Sequence, residues 1–343
     1  MRVYRLNRFG LEHLQIEEAS APRPGRGEVL VQVQALSLNF RDLMVVNGLY
    51  NPRLALPATP VSDGAGLVAA VGEGVTRWKV GDRVVSHFVA SWIDGVFSAD
   101  YPKSSLGTPG PGLAAEYAAL PAEALVAIPT GLDFGQAATL PIAALTAWSV
   151  LVSEGRLDPR KPAANAGKTV LTLGTGGVSI FALQLAKALG ARVVITSSRD
   201  EKLRRAAAMG ADLCVNYRTT PDWDKTVVEF TRGGADITVE TGGAGTLDAS
   251  MRATRAGGLV GVLGALTGLK AEVSTALILM KRLHLAGIYV DCRRAFEEMN
   301  AFIQSVKLLP VIDRTYSFAE LPAALGAMQR GEHFGKLVVN VVG

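Results

Sequence analysis

Cysteine is scarce: among 343 residues only Cys214 and Cys292 carry a thiol, which excludes a disulfide framework and any lobe held by four cysteinyl zinc ligands. The four histidines, His13, His87, His284 and His333, stand at no ligand spacing from these cysteines or from one another, so they read as core or surface residues. There is also no long apolar run. The longest, Ala137 to Val152, is broken by Pro141 and by Thr and Ser and falls short of the ~18–20 residues that span a bilayer; a buried helix is expected instead. A block of like charge is missing too. The formal charge is +4, spread along the chain, and a pair such as Arg204-Arg205 reads as a solvated helix face, which argues against a nucleic-acid partner. The segment Met1–Arg8 is charged and lacks the apolar stretch of a secretory signal, so a cytoplasmic location is expected. No internal repeat or low-complexity segment occurs.

Hydrophobic residues make up 49% and charged residues 19%, ample for roughly two domains at the usual ~100–200 residues each. The most informative stretch is Val170-Leu171-Thr172-Leu173-Gly174-Thr175-Gly176-Gly177-Val178-Ser179, a buried strand turning through glycines into a helix. Gly174 permits the tight turn and Gly176 lets the backbone approach a pyrophosphate. The helix opening at Gly177 and Val178 points free N–H groups and a positive dipole end at the anion. Ser179 takes the third glycine position and is small enough for close helix–strand packing. Later strands are expected at Val193–Thr196, Leu213–Asn216, Ile237–Glu240, Leu259–Leu263 and Leu285–Val290, alternating with helices. This predicts an α/β architecture with a Rossmann doubly wound parallel sheet. The earlier part, with short strands at Val29–Ala35, Gly66–Val71 and Asp82–Val85 between Gly and Pro turns, reads as mostly β. After Val290 a helix Arg294–Val306, a segment Val311–Tyr316 and a strand Lys336–Val342 are expected.

Several segments together resemble the zinc-free, quinone-oxidoreductase-like branch of the medium-chain dehydrogenases/reductases, also similar to polyketide-synthase enoyl reductases. They are Leu38-Asn39-Phe40-Arg41-Asp42-Leu43, Gly48-Leu49-Tyr50, Ser62-Asp63-Gly64-Ala65-Gly66, Val80-Gly81-Asp82-Arg83-Val84, Ala115-Glu116-Tyr117, Leu145-Thr146-Ala147-Trp148, the glycine loop, and Phe334-Gly335-Lys336-Leu337-Val338. The resemblance implies a GroES-like catalytic domain over 1–128, a Rossmann NADP-binding domain over 129–290, and a return to the catalytic domain over 291–343. It places the active site in the cleft against the Rossmann domain.

Zinc enzymes of this superfamily take ligands from a Cys, a His-Glu pair and a further Cys or Asp; the matching positions here are Asn39, Ser62-Asp63 and the region around Pro141. A catalytic zinc needs about three converging N, S or O ligands, so no metal is expected. Without a Lewis acid to stabilise an alkoxide, reduction of a quinone or of a C=C conjugated to a carbonyl is the easier chemistry, because the enolate needs only a hydrogen-bond donor or a proton. Tyr50 is the candidate donor by resemblance, and Asn39 matches a residue that lies near the nicotinamide, although capping a turn is an equal explanation. Asp42 at a helix start and Asp63 at a glycine turn are weaker candidates.

An NAD site carries Asp or Glu at the end of the second strand, about 20 residues beyond the glycines; here that place is Thr196-Ser197-Ser198-Arg199. Arg199, Lys202 and Ser198 are suited instead to a 2′-phosphate, and in NADPH-using relatives residues matching Lys202 and Tyr217 serve it. Asp200 and Glu201 cut the other way, unless they serve the first turn of a helix. NADPH is therefore the expected cofactor. Thr146 is expected at the nicotinamide by resemblance, and Gly264 and Val290, at the carboxyl edge of the sheet, to offer backbone contacts. Gly95, Gly107, Gly110 and Gly112 punctuate Trp92–Pro111, expected as a loop beside the substrate. A homodimer through the sheet edge at Leu285–Val290 is expected. Two other readings stand beside the reductase: a non-catalytic NADPH-binding sensor or scaffold, and an alcohol dehydrogenase.

Overall fold

The computed structural model describes residues 1–268 and 270–342. Residues Met1–Ala143 with those from Cys292 onward form one unit, and Ala144–Asp291 form a second. The division falls at Ala143 rather than at 128, because helix Phe134–Ala138 packs on strands Glu28–Ser37 and Asp63–Val71 of the first unit. The helical run continues as π-helical turns at Leu140–Ala144, where Pro141 supplies no N–H to an ordinary α-turn.

The first unit is built on Glu28–Ser37, whose alternation puts Val29, Val31 and Val33 inside and leaves Gln32 and Gln34 half-exposed. It pairs antiparallel with Asp63–Val71, Tyr117–Pro121 and Lys336–Asn340. A seven-stranded sheet results, with Ile312–Ser317 parallel to the C-terminal strand. Leu36, Val68, Val84, Leu120, Leu337 and Val339 share its core. The last strand thus returns to the N-terminal sheet across some three hundred residues of chain, pairing Val338 with Ser37. A two-stranded ribbon, Arg2–Leu6 with Leu14–Glu18, was not evident in the sequence. Arg2, Arg5, Glu17 and Glu18 mask its alternation, and Tyr4, buried with its hydroxyl donating to the carbonyls of Phe318 and Ala319 at 3.0 Å, anchors it.

The second unit is a six-stranded sheet, parallel throughout, in the spatial order Leu213–Asn216, Arg192–Ser197, Thr169–Leu173, Ala235–Glu240, Thr254–Val262, His284–Gly287. All five residues of the central strand Thr169–Leu173 are buried, as a strand covered by helices on both faces must be. The order reverses between this strand and Ala235–Glu240, the switch point outside whose carboxyl ends ligands bind in such sheets. One expectation needs correction. The sixth strand ends at Gly287, not Val290, and Val290 has φ of 48°, a left-handed conformation that no strand contains and that a β-branched residue rarely adopts.

Candidate functional site

In the Ala144–Asp291 unit, Thr169–Leu173 feeds through Gly174, Thr175 and Gly176 into helix Gly177–Ala188. Gly174 turns the chain at φ of 75°, a conformation in which any side chain is strained. Gly176 is the N-cap, in extended backbone, and a Cβ built there or at Gly174 meets nothing within 4 Å. The loop therefore borders open space at the N-terminus of this helix, whose first N–H groups, those of Gly177 and Val178 among them, have no intrahelical acceptor. Ser179 is buried and donates to the Leu173 carbonyl at 2.6 Å, tying helix to strand where the fingerprint has its third glycine. Thr241, after the neighbouring strand, donates to the same carbonyl at 2.8 Å. This cradle suits a dinucleotide pyrophosphate.

Register pairs Asn216 with Ser197 at the ends of adjacent strands, and the Tyr217 N–H donates to the Ser197 carbonyl at 3.1 Å. Ser198, Arg199, Lys202 and Tyr217 thus gather at one corner of the sheet. Arg199 and Tyr217 are exposed and Lys202 is buried on helix Asp200–Ala208. Asp200 and Glu201 occupy the first turn of that helix, and Asp200 accepts from Asn216 at 2.7 Å. Thr146 is buried in helix Leu145–Trp148. Gly264 lies two residues beyond Thr254–Val262, where a Cβ would stand 2.0 Å from the Thr241 carbonyl oxygen. Close backbone packing accounts for that glycine without a ligand.

In the other unit a buried polar cluster forms where the N-terminus of helix Phe40–Val46, the start of strand Asp63–Val71 and the start of strand Lys336–Asn340 meet. Lys336 donates to the Asn39 side-chain oxygen at 2.7 Å and to the Leu38 carbonyl at 2.6 Å. The Asn39 side-chain nitrogen donates to Asp63 Oδ2 at 2.8 Å, and the Ile142 N–H reaches the same oxygen at 3.3 Å. Asp42 accepts from the Asn39 N–H at 2.9 Å and from the Ser62 N–H and hydroxyl at 3.1 and 2.9 Å. Asp42 and Asp63 are fully buried and Lys336 is 3% exposed. Burial pushes Asp63 up to about 7, against the pull of Lys336, and pushes Lys336 down to about 8, against Asp63 and Asp42. Burial likewise raises Asp42, opposed first by Arg41. Asp63 Oδ1 is buried with no hydrogen-bond partner among the described residues.

Arg41, next in the helix, donates to the Ser62 hydroxyl at 2.5 Å and to the carbonyls of Leu106 and Thr108 at 3.2 and 2.5 Å. Its guanidinium lies 4.3 Å from the Tyr50 ring centre and 4.8 Å from that of Phe88. Tyr50, 38% exposed, is thus seated on a cation that also anchors the Trp92–Pro111 loop. Within the loop, Trp92, Phe97 and Tyr101 pack on one another.

A family model described as the alcohol dehydrogenase GroES-like domain matches residues 25–130, and one described as zinc-binding dehydrogenase matches 177–305. A zinc-type alcohol dehydrogenase-like protein of Schizosaccharomyces pombe is 39% identical over 338 residues, covering 97% of this chain and 96% of its own length. The chain is a medium-chain dehydrogenase/reductase. The crystal structure of a Sinorhizobium meliloti protein assigned as an alcohol dehydrogenase superposes with a TM-score of 0.90 at 39% identity, covering 99% of this chain and 98% of that one. A quinone oxidoreductase of Pseudomonas aeruginosa is 33% identical over 274 residues, 79% of this chain and 75% of that protein. This medium-chain dehydrogenase/reductase is accordingly an oxidoreductase, with a GroES-like unit and a nicotinamide-dinucleotide-binding unit.

The zinc-binding name of one family model raises the question of a metal. The polar cluster does not fit one. Asn39 presents its oxygen to an ammonium, the Ser62 hydroxyl is shared between Asp42 and Arg41, and among the described residues no three His, Cys, Asp or Glu side chains converge as a metal requires. The dinucleotide does fit the glycine cradle. Three residues that carry this architecture were not singled out from sequence: Arg41, Lys336, and Glu240. Glu240 is buried at the end of Ala235–Glu240 and accepts from the N–H groups of Gly242 and Gly243 at 2.7 and 2.9 Å and from the hydroxyls of Thr246 and Ser250. An acid at the carboxyl end of a central strand, followed by glycines, was the available signal.

Proposed function

We propose that this medium-chain dehydrogenase/reductase is an NADPH-dependent, zinc-independent reductase that delivers hydride to a quinone or to the activated C=C of an α,β-unsaturated carbonyl or enoyl substrate. The observation that carries this reading is the Asn39–Asp63–Lys336 cluster: the Asn39 oxygen accepts from an ammonium and its nitrogen donates to Asp63, so the amide is turned to these partners rather than to a metal. Hydride chemistry is supplied by the nicotinamide when bound. The residues of the chain then have three tasks. Gly174, Gly176, Gly177 and Val178 receive the pyrophosphate, with Thr146 on the nicotinamide side. Ser198, Arg199, Lys202 and Tyr217 receive the 2′-phosphate, their two cations offering charge-assisted hydrogen bonds. Tyr50 donates from its phenol to the oxygen on which negative charge develops, with Asn39 as a second hydrogen-bonding group.

Alcohol oxidation is the second reading, favoured by the name of the Schizosaccharomyces pombe relative. One panel separates the two: NADPH oxidation against quinones, enones, enoyl thioesters and aldehydes, with the same cofactor offered in oxidised form with alcohols. Turnover confined to quinones or conjugated substrates supports the reductase; turnover confined to alcohols and aldehydes refutes it. The cofactor half is tested with Lys202→Ala. Losing a charge-assisted bond costs about 1.5–3 kcal/mol, so NADPH affinity should fall about 10- to 150-fold while NADH affinity holds. An unchanged ratio of the two affinities refutes the assignment.

A further inference from the structure

Asn39 can serve a ligand only if its amide is held one way round, and an amide by itself is ambiguous, since its oxygen and nitrogen are nearly the same size. Here the neighbours decide. The Lys336 ammonium can only donate, and it meets the amide at 2.7 Å, so the oxygen faces Lys336. Asp63 Oδ2, which also takes the Ile142 N–H, meets the other end at 2.8 Å, so the nitrogen faces Asp63. A third restraint is the Asp42 carboxylate on the Asn39 backbone N–H at 2.9 Å. One amide N–H is thereby used by Asp63, which leaves the second over.

We propose, resting on the reductase reading above, that Lys336 is a positioning residue: its buried ammonium fixes the Asn39 amide so that its second N–H is presented to the ligand. The ammonium is well suited to the task. It is 3% exposed and held at its other side by the Leu38 carbonyl at 2.6 Å, the residue immediately before Asn39. Anchoring two consecutive residues with one charge adds to the capping box that Asn39 and Asp42 form at the helix N-terminus and restrains the amide from its oxygen side. Two fully buried carboxyl side chains, Asp42 and Asp63, surround the same point and bond to the same asparagine. An uncompensated cation is strongly disfavoured in such an interior, and so is an uncompensated acid; Lys336 and Asp63 compensate one another, while Asp42 also has Arg41 beside it. Asp63 Oδ1 has no partner among the described residues, so the hydrogen bonds of this carboxyl group are those of Oδ2 with Asn39 and the Ile142 N–H.

The test is a double-mutant cycle on the full chain with NADPH and 9,10-phenanthrenequinone, read as kcat, KM and the melting midpoint. Lys336→Met keeps the aliphatic stem and removes the charge. It is expected to lower kcat about 10²-fold, as losing one donor to a developing oxyanion does, and to leave KM for NADPH within about threefold. Asn39→Ala should lose as much. The double variant should be no worse than Asn39→Ala alone within about twofold, because a residue acting through another has nothing left to act on. Additive losses, or a folded Lys336→Met with wild-type kcat, overturn the proposal. Should Lys336→Met fail to fold, Lys336→Met with Asp63→Asn removes opposite charges together; wild-type turnover in that folded pair overturns it equally. A readout independent of turnover separates this proposal from the activity it rests on. The side-chain NH₂ signals of Asn39 in ¹⁵N-labelled protein, identified by their loss in Asn39→Ala, should be slow to exchange in the wild type and exchange-broadened in the charge-removed variant. Unchanged signals overturn the positioning role even in a protein that reduces no quinone, and changed signals in such a protein leave the role standing while the reductase reading falls.

Discussion

A carboxyl group and an ammonium that are both buried give stability an unusual pH dependence. Asp63 is raised from 3.8 to about 7, so between those values the folded chain binds a proton that the unfolded chain has lost, and stability falls as pH rises through that window. Lys336 is lowered from 10.5 to about 8, so between 8 and 10.5 the unfolded chain binds the extra proton and stability rises with pH. The contribution of the pair should be weakest near pH 7–8. Melting midpoints from pH 4 to 10.5, compared with those of Lys336→Met with Asp63→Asn, should show this dip only in the wild type; parallel profiles would refute it. Tyr50 makes a second prediction at this scale. Tyr50→Phe keeps the ring on Arg41 and removes the donor, so quinone turnover should fall about 10²–10³-fold with NADPH affinity and the melting midpoint unchanged; wild-type turnover would show that the ring only packs. Asn39 and Asp63 drew notice in the sequence because they sit in recognisable local motifs, and the structure joins them at 2.8 Å. Lys336 as the partner of Asn39 was not, because that bond spans 297 positions and exists only once the C-terminal strand has joined the N-terminal sheet.

Among the elements, the parallel strands were the most legible. Leu213–Asn216 was expected with its observed bounds and Thr169–Leu173 was marked by Val170, Leu171 and Leu173 leading into the glycine loop, whereas the ribbon Arg2–Leu6 with Leu14–Glu18 was hidden by charged residues on its outer face. Val290 defeated the reading of the sixth strand because nothing in an apolar run announces a left-handed residue. The glycine loop gives a clean experiment. At Gly176 the backbone is extended and the space open, so Gly176→Val should fold with a stability change of about 1 kcal/mol or less. The added side chain fills the room left for a pyrophosphate. NADPH affinity should therefore fall about tenfold or more, a loss of about 1.4 kcal/mol, as read by fluorescence titration; undiminished affinity would move the cofactor away from this loop.

At the scale of the whole molecule, the sheet of the Ala144–Asp291 unit ends on His284–Gly287, a strand with one neighbour among the described residues. Near it Leu285 is partly exposed, and helix Thr275–Lys281 carries Leu279 and Met280 at 73% and 81% exposure. Apolar residues beside an open strand edge are a surface that seeks a partner, and a second copy of the chain is the expected one. Light scattering should give twice 36.1 kDa at micromolar concentration, and Met280→Asp should return it to the monomer; a monomeric wild type would contradict the assignment. The proposed zinc-independent role of the Asn39–Asp63–Lys336 cluster has a more direct consequence. Protein stripped with a chelator and verified free of zinc by elemental analysis should oxidise NADPH with a quinone or enone at the untreated rate. Loss of that activity on stripping, restored by one equivalent of zinc per chain, would contradict the account.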